Sequence, residues 1–167
     1  YWGHLYQDGE LIISVSDETI PSRPILINGK LCAQAIYKSL SAMPWYVYRS
    51  AVTEVTIAED MNTLDEVNCN YWFHGETNLV EVTGLGNLVN VHNFANVFCS
   101  CTSLTTLDFG GMDPSTLTSL NSTFSGCSGL TTIFADADWS LPTSGITLAA
   151  TFSGCSSLVG GNGTVWA

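Results

Sequence analysis

Between residues 51 and 167 the chain contains neither lysine nor arginine. Its four cations, Arg23, Lys30, Lys38 and Arg49, all fall in the first 50 residues, where Asp8, Glu10, Asp17 and Glu18 balance them. The other eleven carboxylates are unopposed and set the net charge of −11. Such a surface repels phosphate backbones, which excludes nucleic acid as a partner and disfavours anionic membrane surfaces. Long apolar runs are also missing: none approaches 18 residues, so no segment is expected to insert in a membrane. Charged residues of both signs make up only 11% against 46% apolar, and a chain with that much surface to bury is not disordered. The opening YWGHLYQDGE lacks an initiator methionine and the regions of a signal peptide, so the chain reads as an excised or processed piece of something longer, and it is expected to be a monomer or part of a longer chain.

Catalytic and metal signatures are scarce as well. His4, His74 and His92 sit in no nucleophile or zinc pattern, and GLG at 84–86 lacks the third glycine of a phosphate cradle. Cys99-x-Cys101 has no second ligand pair at zinc spacing. The acidic pairs Glu59-Asp60 and Asp65-Glu66 fall in loop sequence, where adjacent acids are usually solvated. ADADW at 135–139 offers carboxylates to Ca²⁺ without the spacing or glycine of an EF-hand loop. The expectation is a protein that is not an enzyme and needs no metal or cofactor.

What the chain does have is a repeat. TFSGCSGL at 123–130 returns as TFSGCSSL at 151–158, and FCSCTSL at 98–104 and FHGETNL at 73–79 follow the same frame. The four phenylalanines, Phe73, Phe98, Phe124 and Phe152, are 25, 26 and 28 residues apart. Cysteine follows three places later as Cys101, Cys127 and Cys155, with Glu76 standing in the first copy. Leucine closes each heptad as Leu79, Leu104, Leu130 and Leu158. Another apolar residue comes three positions on at Val82, Leu107 and Ile133, and VTEVTI at 52–57 carries the strand pattern without the phenylalanine. Units this short cannot bury their own apolar faces and must stack, so Phe, Cys and Leu are expected to face inward as ladders.

The segments FSGCSGLTTI and FCSCTSLTTL resemble the F-x-x-C-x-x-L-x-x-I/L signature of BspA-like leucine-rich repeats, found in bacterial cell-surface proteins. WGHLYQDGELIIS and PWYVYRSAVTEVTI resemble the lead-in that those proteins place before the first repeat. The expected fold is mostly β with short helical or irregular segments: a short leucine-rich-repeat solenoid, with a parallel sheet in a right-handed coil, behind an N-terminal β cap. The cap would span 1–50 and an array of about four coils 51–167. The resemblance implies an extracellular or cell-surface location and adhesin-like recognition of host or matrix proteins or of other cells.

Six cysteines in an exported protein invite disulfides. Cys101, Cys127 and Cys155 nevertheless occupy equivalent positions, and laddered side chains point in parallel where a disulfide needs converging ones. They are read as reduced packing residues. Cys99 either pairs with Cys69 or is incidental, and the incidental reading is preferred.

In the first 50 residues, Asp8-Gly9 between apolar runs signals a two-residue hairpin. LCAQAIYKSLSA at 31–42 suggests a helix ended by Pro44. Trp45, Tyr46 and Tyr48 are expected to cover the open end of the first coil. The outward positions of the repeat strands form one row, Glu54, Glu81, Thr106 and Thr132, beside a second, Thr56, Thr83, Asp108 and Phe134. That strip is the expected binding face, unless it is simply the polar face that any exposed sheet presents. The ligand would be an extracellular protein or a glycan. Two other readings stand beside the adhesin: a carbohydrate-binding accessory module of a secreted glycan-degrading enzyme, which exposed coplanar rings such as Phe134 and Trp139 would favour, and a structural spacer.

Overall fold

The computed structural model describes residues 1–17, 23–31, 40–136, 139 and 144–159. The chain opens with a hairpin of β1 (Trp2–Tyr6) and β2 (Glu10–Ser14), paired antiparallel from Trp2 opposite Ser14 to Leu5 opposite Leu11. Its loop, Gln7 to Gly9, is three residues long, and Gly9 alone is left-handed, at φ 98°. A two-residue type I′ turn would need positive φ at both central residues, so the hairpin is present with a different turn. On the other side of β1, β3 (Ile25–Lys30) runs antiparallel. Leu5, Leu11 and Ile13 face the core, fully buried, as the two-residue period of a strand dictates.

Parallel strands then extend this sheet. β4 (Glu54–Ile57) pairs with β2, and β6 (Glu81–Thr83) pairs with β4, giving the order β3-β1-β2-β4-β6. Between them, β5 (Val67–Asn68) pairs in parallel with β7 (Val91–Asn93) in a second, two-stranded sheet. Isolated parallel bridges carry that pairing on from Asn93 to Ser119 and from Ser119 to Thr147. A third sheet joins β8 (Thr106–Asp108) to β9 (Thr132–Phe134), also in parallel.

This is a small mixed β domain, and it corrects the expectation of a short leucine-rich-repeat solenoid with a parallel sheet in a right-handed coil behind an N-terminal β cap. β2 accepts β4 as a parallel neighbour and β4 accepts β6, so a single mixed sheet runs across residue 50. The repeat strands do not form one parallel sheet, because β6 and β8 belong to different sheets. The physical reason lies in strand length. Each L-x-x-L-x-L segment yields only three or four strand residues, too few ladder bonds to enforce pairing at every step. The helix expected over 31–42 falls largely outside the described residues; Leu40–Ala42 form a 3₁₀ turn. Among the described residues no helix is long and apolar enough to cross a membrane.

The core lies between the sheets, and the F-x-x-C-x-x-L segments fill it. Phe73, Phe98 and Phe124 are buried and Phe152 partly so. Their rings form a column, with successive centroids 5.6, 6.1 and 5.3 Å apart and planes within 29° of parallel. Each cysteine donates its S–H to the phenylalanine carbonyl of the preceding copy: Cys101 to Phe73 at 3.1 Å, Cys127 to Phe98 at 2.9 Å, Cys155 to Phe124 at 2.9 Å. Those carbonyls already accept the backbone N–H three residues on, so the thiol takes the second lone pair. Leu79, Leu104, Leu130 and Leu158 are buried alongside.

The residue before each cysteine, or before Glu76, is left-handed: Gly75, Ser100, Gly126 and Gly154, at φ between 63° and 76°. Glycine serves there because it has no Cβ to clash. A second left-handed position recurs at Tyr71, Asn96, Ser122 and Ala150. At the start of the column Trp45 is buried, lies over Phe73 at 6.5 Å and donates its indole N–H to the Trp72 carbonyl at 2.8 Å. Gly3 is required beneath it, since a Cβ there would collide with the indole ring. Tyr46 is half-buried under the Arg49 guanidinium, and Tyr48 is exposed.

Candidate functional site

Each repeat strand buries its middle residue and turns its flanks to solvent. Val82 and Leu107 are buried while Glu81, Thr83, Thr106 and Asp108 are exposed. In β9, Ile133 is partly buried and Phe134 is 55% exposed, an unusual setting for a ring of that size. Pairing aligns the outward residues in rows: Glu54 with Glu81, Thr56 with Thr83, Thr106 with Thr132 and Asp108 with Phe134. All eight residues expected to form a binding strip therefore lie on one side of their strands, exposed or half-exposed.

The break between β6 and β8 turns part of that strip into a groove of about 540 Å³. Glu81, Thr83, Thr106, Asp108 and Phe134 line it; Glu54, Thr56 and Thr132 stand one strand back. The break has a local cause. Elsewhere an N–H that leads into a repeat strand bonds the strand before it, as Val80 does with the Thr53 carbonyl and Thr131 with the Thr105 carbonyl, both at 2.9 Å. Ahead of β8 the bonds come from side chains, with the Ser103 hydroxyl reaching the Thr77 carbonyl at 2.6 Å. The main-chain groups along the facing edges of β6 and β8 consequently have no strand partner.

Residues that the strand pattern did not suggest close one end of the groove. Gly84, Leu85, Gly86 and Asn87 turn back after β6, and Gly110 follows β8. Gly84 is left-handed at φ 76° and lies against the Ile57 carbonyl, which also accepts the Asn87 side-chain amide at 2.9 Å. Gly86 meets the Gly110 carbonyl so closely that a Cβ would collide with it. GLG at 84–86 is thus a backbone crossing rather than a phosphate cradle. The signal for it in the sequence was glycine recurring directly after two successive strands, at 84 and 86 and at 110 and 111.

The groove is acidic. Asp108 accepts from the Gly110 N–H at 2.8 Å and Asp136 from the Gly111 N–H at 2.9 Å, which holds both carboxylates beside the glycine turn. Glu81 is exposed with no bonded partner among the described residues. Among the described residues no lysine or arginine lines the groove. Arg23 is engaged by Asp8 at 2.8 Å and by Glu10 at 2.7 Å. Glu10 in turn accepts the Thr56 hydroxyl at 2.6 Å, which ties up the inner end of the polar row.

The remaining candidate residues lie elsewhere. None of His4, His74 and His92 lines the groove. Cys69, Cys99, Cys101, Cys127 and Cys155 are all free, so the Cys69–Cys99 pairing is not made; Cys32 lies outside the described residues. Burial pushes the Cys101 thiol well up and the Cys127 thiol up to about 12, which keeps them protonated as donors. Glu76, buried in the place of a cysteine, has neither carboxylate oxygen hydrogen-bonded. Burial raises its carboxyl well above the usual range, and the Trp45 indole N–H, already spent on the Trp72 carbonyl, works weakly the other way. Among the described residues no three His, Cys, Asp or Glu side chains gather as metal ligands. The ADADW segment lies partly outside those residues. Trp139 packs edge-on against buried Phe109 at 5.2 Å and is half-buried, so it and Phe134 do not make the exposed coplanar pair that sugar stacking would use. The chain matches no family model, no curated protein and no solved structure.

Proposed function

We propose that the chain is a non-enzymatic binding module of a bacterial surface or secreted protein, and that it recognises another protein outside the cell. The observation that supports this is the β6–β8 groove, which combines an exposed aromatic ring, unopposed carboxylates and unpaired strand edges in one open concavity. Among the described residues such a site offers recognition chemistry with no histidine in its lining and no metal-ligand set. The resemblance of the F-x-x-C-x-x-L segments to bacterial surface-protein repeats supports the extracellular setting. A glycan ligand is less well supported, since Phe134 stands as a single ring.

The reading is tested by binding the protein to immobilised extracellular-matrix proteins and to intact host and bacterial cells. The comparison variant carries Glu81→Gln, Asp108→Asn and Phe134→Ala. Capture of the native protein that drops at least about tenfold in the variant is expected, as for loss of a central anchor with its charged rim. Absence of capture, or capture that the triple variant leaves unchanged, would refute the groove as the binding site.

A further inference from the structure

Resting on the binding role proposed for the groove, we infer that it receives an arginine side chain from an extended segment of the partner protein. The guanidinium is held between the carboxylates of Glu81 and Asp108 and lies against the face of Phe134.

Three independent features lead to this occupant. The first is charge. The groove holds acidic side chains, and no lysine or arginine exists anywhere in residues 51–167 to neutralise them. Arg23 is already committed to Asp8 and Glu10. A complementary partner must therefore bring the positive charge itself.

The second is the ring. Phe134 is more than half exposed in a strip whose other members are threonines and acids. An exposed phenyl beside carboxylates suits a planar cation on an apolar stem. A guanidinium stacks on the ring while forking its N–H donors to carboxylate oxygens. The molecule already makes this arrangement at Arg23, and stacks a second guanidinium, that of Arg49, on a ring while donating to the Tyr46 carbonyl. Arg23 lies 4.0 Å from the Tyr6 ring centroid while bonded to Asp8 and Glu10, and Arg49 lies 4.4 Å from that of Tyr46.

The third is size and floor. A volume of about 540 Å³ accommodates one long side chain with its flanking backbone. The unpaired edges of β6 and β8 supply main-chain donors and acceptors to that backbone. An ammonium can also lie over a ring, as Lys30 does 5.6 Å from the Trp2 centroid, but it has no planar fork to reach two carboxylates while stacked, so arginine fits better than lysine.

The test uses a fluorescein-labelled, amidated hexapeptide of alternating arginine and serine, titrated with the intact protein and followed by fluorescence anisotropy. Two companion peptides carry lysine or the neutral isostere citrulline in place of arginine. The expected result is saturable binding of the arginine peptide, weakened about threefold or more with lysine and about tenfold or more with citrulline. Phe134→Ala and Asp108→Asn should each weaken it about three- to tenfold. Asp65→Asn, an equal charge change outside the groove lining, should not. Thermal unfolding of each variant checks that the fold is intact. Amide shifts on titration should centre on Thr83, Thr106 and Gly110.

No binding of the arginine peptide, equal binding of the citrulline peptide, or equal weakening by Asp65→Asn overturns the inference. The two readings fail separately. Capture of matrix proteins or cells that the triple variant abolishes, with no discrimination between arginine and citrulline, leaves the groove as a binding site and removes arginine as its occupant.

Discussion

The F-x-x-C-x-x-L segments and the strands that follow them come from the same repeat, yet only the former keep the same neighbours from copy to copy. Rings and left-handed residues recur at matching positions along Phe73, Phe98, Phe124 and Phe152, and each thiol finds the same kind of partner in the three copies that carry one. The strands pair from β4 to β6, fail from β6 to β8, and pair again from β8 to β9. Redundancy separates the two regions. Each heptad contact is secured by ring stacking, an S–H bond and a set backbone angle at once. A three-residue strand has only its ladder bonds, so losing the register of one lead-in opens the sheet. The column is therefore where stability resides, and the strand face is where a binding site can form without disturbing it.

The largest expected effect tests this division directly. Phe98 is fully buried and stacks on Phe73 and Phe124, with Phe94 edge-on at 5.9 Å. Phe98→Ala should cost about 3–5 kcal/mol in urea unfolding. Phe134→Ala, the same chemical change on the strand face, should stay within about 0.5 kcal/mol of the native protein. Comparable losses from the two substitutions would erase the distinction.

Glu76 stands where the other three copies of the column carry a cysteine. Its folded pKa lies above the ordinary value of 4.5, so between those values the folded state binds more protons than the unfolded. The stability that the Glu76 proton contributes is then fully present below about pH 4.5 and is lost as pH rises from there. Glu76→Gln removes the titration and should stabilise the protein at pH 7 by about 2 kcal/mol, with little change at pH 4. Denaturant midpoints of both proteins at the two pH values provide the check. A native protein that gains stability from pH 4 to 7 relative to the variant would mean that Glu76 is paired.

The column was legible in the sequence because one residue type at one spacing meets one physical requirement. Phenylalanine fills the interior, cysteine is small enough to lie beside it, and leucine closes the heptad. The outward alternation of Glu81, Thr83, Thr106 and Asp108 followed from the two-residue period of a strand. The architecture was not legible. Nothing in HLYQDGELIIS says that β2 will accept a parallel neighbour, because that pairing is settled by the long-range Glu10-to-Glu54 register. Nor does the spacing reveal that Ser103 and Thr102 will replace backbone donors ahead of β8 and so open the groove. The S–H bonds were also invisible, since a spacing identifies a buried cysteine but not the carbonyl it faces.

Those bonds allow a finer test of the column. Cys127→Ala removes both the sulfur volume and the bond to the Phe98 carbonyl, at an expected cost of about 1–2 kcal/mol. The carbonyl keeps its bond from the Cys101 N–H at 3.0 Å, which limits the loss. Cys127→Ser retains a donor in the same place. If the thiol acts as a donor, serine should unfold at a higher urea concentration than alanine. If it acts only as an apolar filler, serine should be the worse of the two, because its hydroxyl would be buried at a cost.

The smallest effect concerns the left-handed position before the cysteine. Three copies place glycine there, while Ser100 adopts φ 63° with a Cβ. Ser100→Gly should relieve that strain and stabilise the protein by about 1 kcal/mol, and Gly126→Ala should destabilise it by at least as much. The two positions touch: a Cβ on Gly126 would come within 3.3 Å of the Ser100 hydroxyl oxygen. Part of the cost of alanine at 126 is therefore a contact that glycine at 100 removes. The double variant should lose less than the sum of the single changes, by a few tenths of a kcal/mol in a double-mutant cycle. Strict additivity would place the whole cost in the backbone angle and show that neighbouring copies of the heptad are mechanically independent at this position.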